Sequence, residues 1–336
     1  MREKIIVVGV GSTGSQVAKL AIERGMEIIG AFDINEAIAG NEFSEILGIK
    51  KKLNVSVSAD LMKIKGLKAD IALYLTSSRM KDIYPQILPA IEAGMNVITT
   101  SDEFAFPWSY PESISIDEAA KKRNVTVFGT GANPGFLVDV LPVVFSSACH
   151  QINQISVKRV ADLGPYGGSV PKQFGIGLTK EVFERLHRAG KIGGHIASQG
   201  IVKYIANSVG FEIGKVTERI EPVIASTTRI GRYCKVNKGN IAGTLQIAYG
   251  KQAGKKSVIF EMNATVQPQA EGLEAGTYLA IEGKPSIQIA ITSTEVREES
   301  VLITSARVVN SIPIVLSAKP GLLIQSDLPI GAGHAN

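Results

Sequence analysis

Cysteine is scarce in this chain. There are only two, Cys149 and Cys234, in 336 residues. They stand far apart and without metal-ligand spacing, which argues against a disulfide framework or a cysteine zinc site and fits a reducing compartment. Histidine is nearly as sparse, with four residues, His150, His187, His195 and His334. No set of His, Cys, Asp and Glu has ligand spacing, so no metal centre is expected. Neither a G-x-S-x-G turn nor a Ser/His pairing points to hydrolysis. Charge excess is also lacking: 36 Lys and Arg against 31 Asp and Glu leave a net +5. The basic triplets Lys50-Lys51-Lys52 and Lys121-Lys122-Arg123 fall at expected helix ends or loops. That is too little for a nucleic-acid footprint, though it mildly favours anionic ligands. No apolar run approaches the ~20 residues of a membrane span. The chain enters a strand-like run almost at once, so no signal peptide is expected. Repeats and low-complexity tracts are absent. What remains is the expectation of a soluble, cytoplasmic globular protein whose 45% hydrophobic content supports a core, and whose length suggests two domains.

The most telling feature that is present opens the chain. The apolar, β-branched run Lys4–Val8 leads into Gly9-Val10-Gly11-Ser12-Thr13-Gly14, a G-x-G-x-x-G pattern. An amphipathic segment follows, and then a second apolar run, Ile28–Phe32, which ends on Asp33 about 20 residues on. Gly9 allows a tight turn, Gly11 lets backbone N–H groups approach a pyrophosphate, and Gly14 lets helix and strand pack closely. Ser12 and Thr13 then sit at the positive end of a helix, where a pyrophosphate rests. Strand, helix and acid together read as a dinucleotide site. The bland alternative is a glycine-rich turn in a nucleotide-free α/β domain. A carboxylate at Asp33 accepts hydrogen bonds from ribose hydroxyls and repels a 2′-phosphate, and no Arg follows closely. NAD is therefore favoured, with NADP as the alternative. The competing reading of Asp33 is a cap on the next segment.

Strand-like runs at 4–9, 27–32, 55–57, 70–75, 96–99 and 125–128 alternate with helical patterns near 13–25, 80–94 and 113–123. The strand runs are short and apolar without alternation, as in parallel strands buried on both faces. This predicts an α/β fold: a Rossmann-type doubly wound parallel sheet over residues 1–140, rejoined by 305–336. Beyond about residue 150 the strands lengthen (152–160, 215–224, 243–249, 257–266, 277–282 and 287–291), and several alternate apolar with polar. With helices near 179–189 and 195–208, residues 141–304 read as a second α+β domain with a mostly antiparallel sheet, for substrate binding and dimerisation. One side of that sheet is expected to be wet or ligand-facing.

Ligands of an open parallel sheet bind outside the carboxyl ends of its strands. Those ends carry Gly9–Gly14, Asp33, Thr76-Ser77-Ser78, Thr100-Ser101-Asp102-Glu103 and Gly129–Gly135, which includes Asn133. Thr76, Ser77, Ser78, Thr100, Ser101 and Asn133 are candidates to line a cofactor; ordinary helix capping is the other reading of the serines and threonines. Asp102 and Glu103 are adjacent acids beside an aromatic stretch, Phe104–Trp108, which suits a general acid or base. A solvated acidic turn against core aromatics is the alternative. His195, after Gly193-Gly194, is the one histidine in a loop suited to a ligand, although a structural role competes.

Asn96-Val97-Ile98, Asp102-Glu103, Phe106-Pro107-Trp108 and above all Gly129-Thr130-Gly131-Ala132-Asn133-Pro134-Gly135-Phe136 resemble the 2,4-diaminopentanoate dehydrogenases and native amine dehydrogenases. The resemblance continues through Lys158–Leu163, Pro165-Tyr166-Gly167, Gly194-His195 and Lys319-Pro320-Gly321-Leu322. It implies NAD(P)-dependent oxidative deamination of 2,4-diaminopentanoate or a similar amine to the ketone and ammonia, in a homodimer. It also implies catalytic assistance from a glutamate, matched here by Glu103 with Asp102 beside it. A substrate carboxylate calls for a cation, with Arg159 and Lys172 as candidates unless they are surface charges. Phe136 and His195 would complete the pocket. Residues 196–200 depart from the expected pattern and leave substrate identity open. Two other readings stay on the table: an imine reductase like dihydrodipicolinate reductase, although its histidine-rich catalytic helix is missing here, and a non-catalytic NAD-binding protein.

Overall fold

The computed structural model describes residues 2–166, 169–293 and 299–334. Gly167 of the quoted resemblance lies outside them. The chain forms two compact units, one from Met1–Phe136 with Ser300–Asn336, the other from Leu137–Glu299.

In the first unit, β1 (Lys4–Val8), β2 (Glu27–Phe32), β3 (Val57–Ser58), β4 (Ile71–Tyr74), β5 (Asn96–Thr99) and β6 (Thr126–Gly129) join the C-terminal strand Gly321–Leu323. All seven are parallel, in the order Gly321–Leu323, β6, β5, β4, β1, β2, β3. The strand runs carry apolar residues at successive positions because both faces are covered. Ile5, Val7, Leu73 and Phe128 pack with Val17, Ala18 and Ala21 of α1 (Ser12–Glu23) and with Phe43 and Leu47 of α2 (Phe43–Leu47). Ile6, Val8, Ala72 and Val127 face the other way, against α3 (Met80–Glu92) and α4 (Glu112–Arg123). Each fully buried Ile or Val contributes roughly 1.5–3 kcal/mol, so the alternation of faces fixes strand register.

The long helix Glu299–Ser317 adds Val308, Val309, Ile312 and Val315 to the α1 side of this core. With 19 residues and a mean hydropathy of 1.5, it is long and apolar enough to cross a membrane by composition alone. The sequence reading expects no apolar run of such length. The β-branched start at 300–304 hides the helix from a propensity reading.

The second unit contains α5 (Val140–Ser146), β7 (Gln151–Asp162), α6 (Ser169–Gln173), α7 (Lys180–Arg188), α8 (Ser198–Val209), β8 (Thr217–Ile224), the short hairpin β9 (Arg229–Ile230) and β10 (Lys235–Val236), then β11 (Ile241–Gln252), β12 (Lys255–Thr265), β13 (Gly276–Lys284) and β14 (Ile287–Ile291). Its six-stranded sheet runs β14-β13-β7-β12-β11-β8. Every pair is antiparallel except the central one: β7 and β12 run parallel, Val258 beside Ile155 through Thr265 beside Asp162. The alternation in β11 holds a surprise. Its buried positions are Thr244, Gln246 and Ala248, while Leu245, Ile247 and Tyr249 on the other face are only partly covered. The more polar side of the strand is therefore the covered one.

Candidate active site

The first strand–helix turn has the shape its glycines dictate. Gly9 has φ +90, and a Cβ there would lie 2.6 Å from the Leu75 carbonyl oxygen. A Cβ on Gly14 would lie 1.8 Å from the Gly9 carbonyl oxygen, so α1 meets the turn too closely for any side chain. Gly11 is different. It is the N-cap of α1, makes no side-chain cap, and a Cβ on it would meet nothing within 4 Å. Nothing in the fold demands glycine there, and the uncapped amides face open space, as an approaching pyrophosphate requires. Ser12 is exposed and Thr13 half-buried at the same helix end.

Asp33 braces this turn. Its Oδ2 accepts the Val10 N–H (2.7 Å) and its Oδ1 accepts the Asn35 N–H (2.9 Å). The cap expected as an alternative is thus real, and the carboxylate still lies at the strand end where a ribose would sit. Beside it Ile34 is 82% exposed.

The next loops are tied together by Glu103. Its Oε2 accepts the Met80 N–H at 2.6 Å, in the first turn of α3, and its own N–H donates to the Ser78 carbonyl (3.2 Å). The Tyr110 hydroxyl bonds to the same residue; burial, then the charge of Glu103, pushes Tyr110 up to about 12. Gly129 permits this arrangement, since a Cβ there would sit 2.5 Å from the Phe104 backbone. Asp102 is half-buried beside it. Ser77 and Thr76 serve α3: Ser77 Oγ accepts the Arg79 N–H (3.3 Å) and donates to Asp82 (3.1 Å), and Thr76 donates to Gln86 (2.9 Å). Ser78 and Thr76 remain exposed. The Thr100 N–H donates to the Tyr74 carbonyl (3.1 Å), and Ser101 is buried with an unpartnered Oγ. In the last loop Asn133 is half-buried before Pro134, and the Ala132 N–H donates to Thr304 Oγ1 (3.1 Å). Phe136 lies under the Arg307 guanidinium, 4.8 Å from ring centre to Cζ. The first unit therefore gathers Gly9–Gly14, Asp33, Thr76–Ser78, Thr100–Glu103 and Asn133 at the carboxyl edge of one sheet.

In the second unit the candidates divide. Arg159 is not available as a free cation for a substrate. It is 2% exposed, its Nη2 lies 2.7 Å from Glu299 Oε2, and its Nη1 donates to Thr277 (3.1 Å). An extended strand rich in apolar residues carried it inward, and a buried guanidinium is retained only with such partners. Lys172, on α6, is exposed. Its neighbour Gln173 ties that helix to the His195 turn, accepting from the Gly193 N–H (3.1 Å) and donating to the Gly194 carbonyl (3.2 Å). Lys172 and His195 therefore lie on joined segments.

The sequence reading missed Tyr110 and a cluster of buried Gln246 and Ser198 with half-buried Glu218, in which Gln246 Nε2 donates to both Ser198 Oγ (2.9 Å) and Glu218 Oε1 (2.6 Å). The signal for the cluster was the alternation of polar Thr244 and Gln246 with apolar Leu245 and Ile247 in β11. Among the described residues no group of three or more His, Cys, Asp and Glu is placed to hold a metal.

A doubly wound sheet with a glycine-lined, uncapped helix end and an acid braced at the neighbouring strand tips defines a dinucleotide-binding protein with an added α+β unit. The chain belongs to the 2,4-diaminopentanoate dehydrogenase family: the model of that family's C-terminal domain matches residues 136–336. A 2,4-diaminopentanoate dehydrogenase of Acetoanaerobium sticklandii is 29% identical over 334 residues, covering 97% of this chain and 93% of that one. An amine dehydrogenase of Streptomyces virginiae is 21% identical, with 97% and 96% covered. The solved amine dehydrogenase of Mycobacterium smegmatis shares the fold at a TM-score of 0.89, with 24% identity over 99% of this chain and 98% of that one.

Proposed function

We propose that this protein is a nicotinamide-dependent oxidoreductase of C–NH2 groups, deaminating 2,4-diaminopentanoate or a similar amine to the ketone and ammonia, and aminating the ketone in reverse. The observation that carries the reading is Glu103, an acid fixed by the Met80 amide at the same sheet edge as the glycine turn. Family membership over residues 136–336 supports it.

Gly9, Gly11, Ser12, Thr13 and Gly14 would hold the pyrophosphate, and Asp33 the adenosine ribose, which supports NAD over NADP. Thr76, Ser77, Ser78, Thr100, Ser101 and Asn133 would line the rest of the dinucleotide. Held there, an oxidised nicotinamide would supply the hydride acceptor for the carbon bearing the amine. Glu103 takes a proton from the substrate ammonium and passes it to solvent, then takes one from the water that attacks the iminium carbon and returns it to the departing nitrogen, while the carbinolamine hydroxyl loses its proton to solvent as the C–N bond breaks. Its carboxylate keeps its place through these transfers because the Met80 N–H and the Tyr110 hydroxyl hold it. Asp102 assists beside it. In the second unit, Lys172 would supply the cation for a substrate carboxylate and His195 a hydrogen bond to the substrate; in the first, Phe136 would offer it an aromatic contact. Arg159, held by Glu299, is assigned no such role.

We further propose a cytoplasmic homodimer. The partly covered Leu245, Ile247 and Tyr249, with Ile259 opposite Tyr249, form an apolar stripe flanked by Arg219, Glu221 and Glu261, a mixed face suited to two-fold contact. The test of function is a panel of amines and diamino acids with NAD and NADP, followed by reduced-nicotinamide absorbance. Diamino acids giving the fastest reduction with NAD support the reading; no reduction with any amine contradicts it.

A further inference from the structure

We infer that Gln246 is a positioning residue that fixes the orientation and tautomer of His195. The inference rests on the proposed role of His195 at the substrate.

Gln246 sits in β11 and is 2% exposed. Its amide grips both backbone groups of one residue: Oε1 accepts the His195 N–H at 2.6 Å, and Nε2 donates to the His195 carbonyl at 2.9 Å. Nε2 also reaches Ser198 Oγ (2.9 Å) and Glu218 Oε1 (2.6 Å), while Gln199 Nε2 reaches Glu218 Oε2 (3.0 Å). The Ser198 hydroxyl bonds to Glu218 as well. These acceptors outnumber the two hydrogens of an amide, so Gln246 has no spare donor. A Cβ at Gly194 would fall 2.1 Å from Gln246 Oε1, so the glycine at 194 is what lets the amide come this close.

Gly193-Gly194 would leave the turn loose, and glycine pairs lose the most freedom on ordering. The clamp supplies the rigidity the glycines withhold. Within the turn His195 Nδ1 accepts the Ala197 N–H at 3.3 Å. With Nδ1 accepting, a neutral imidazole carries its proton on Nε2. An apolar side chain of the same length would fill the site without the cost of burying an amide. The glutamine therefore marks a position where His195 must be held.

The test uses the full-length protein. In the wild type, imidazole nitrogen-15 signals of His195 report the proton on Nε2. Gln246→Met, which conserves length, displaces those signals toward a tautomer mixture. It raises the amine KM roughly tenfold, the scale of one lost hydrogen bond to a charged group, with the dinucleotide KM unchanged. The Gln246→Met/His195→Ala double variant is then no worse than His195→Ala alone. Unmoved nitrogen-15 signals in Gln246→Met overturn the inference, as does full additivity in the double variant. An amine KM unaffected by His195→Ala, with the signals still displaced by Gln246→Met, supports the positioning and overturns the substrate role of His195 instead. If Gln246→Met does not fold, Glu218→Gln removes the charge at the far end of the cluster and is read by the same signals and constants.

Discussion

Glu103 accepts the backbone hydrogen of Met80 at 2.6 Å, so the acid that follows β5 is pinned to the helix that follows β4. A single contact thus sets the spacing of two strand-tip loops and holds a carboxylate at the edge where a bound dinucleotide would lie. Glu103→Gln keeps an acceptor for Met80 and removes the base. It should cut turnover about 10²-fold or more while leaving dinucleotide affinity and thermal stability near wild type. Steady-state kinetics and a melting curve check this together; near-normal turnover removes Glu103 from the mechanism.

Gly11 and Gly14 should respond differently to alanine. Gly14→Ala drives a methyl into the Gly9 carbonyl, 1.8 Å away, and should destabilise the protein by several kcal/mol, as overpacking does. Gly11→Ala meets nothing in the fold, so its melting temperature should hold while dinucleotide affinity falls. Calorimetric binding beside thermal unfolding separates the two effects.

Arg159 and Glu299 form a buried pair, 2.7 Å apart. Glu299→Ala leaves a buried guanidinium without this partner and should cost about 3–5 kcal/mol. Arg159→Met, which removes the charge itself, should cost less. Denaturant unfolding of both variants checks the order; a selective rise in amine KM for Arg159→Met would return Arg159 to the substrate.

Glu42 predicts an acid limb of stability. Its carboxylate is drawn down to about 2, first by the Ser44 hydroxyl, with the amides of Ser44, Leu53 and Asn54 adding to it. A depressed folded value means its contribution is present above the unfolded value of 4.5 and is lost as pH falls toward 2. The melting-temperature gap between wild type and Glu42→Gln should therefore be open near neutrality and close across that window. A gap independent of pH contradicts the assignment.

Much of this molecule was legible because its local rules agree. The glycine turn, the apolar parallel strands and the acid at β2's end each follow from backbone geometry that any such sheet imposes, and the structure shows Asp33 tied to Val10 as that turn requires. The parallel pairing of β7 with β12 was not legible, because pairing direction depends on distant chain segments rather than on local pattern. The burial of Arg159, a candidate cation for a substrate carboxylate, was not legible because its partner Glu299 lies 140 residues away. The burial of Gln246 was not legible because alternation reveals two faces of a strand, not which one a helix will cover.

The proposed function stands on the oxidation and cleavage of a carbon–nitrogen bond. It is tested most directly by counting ammonia released against reduced nicotinamide formed from 2,4-diaminopentanoate, in the wild type and in Glu103→Gln. Equal amounts of both are expected in the wild type and near loss of both in the variant. Reduced nicotinamide without ammonia, or a variant as fast as the wild type, would contradict it.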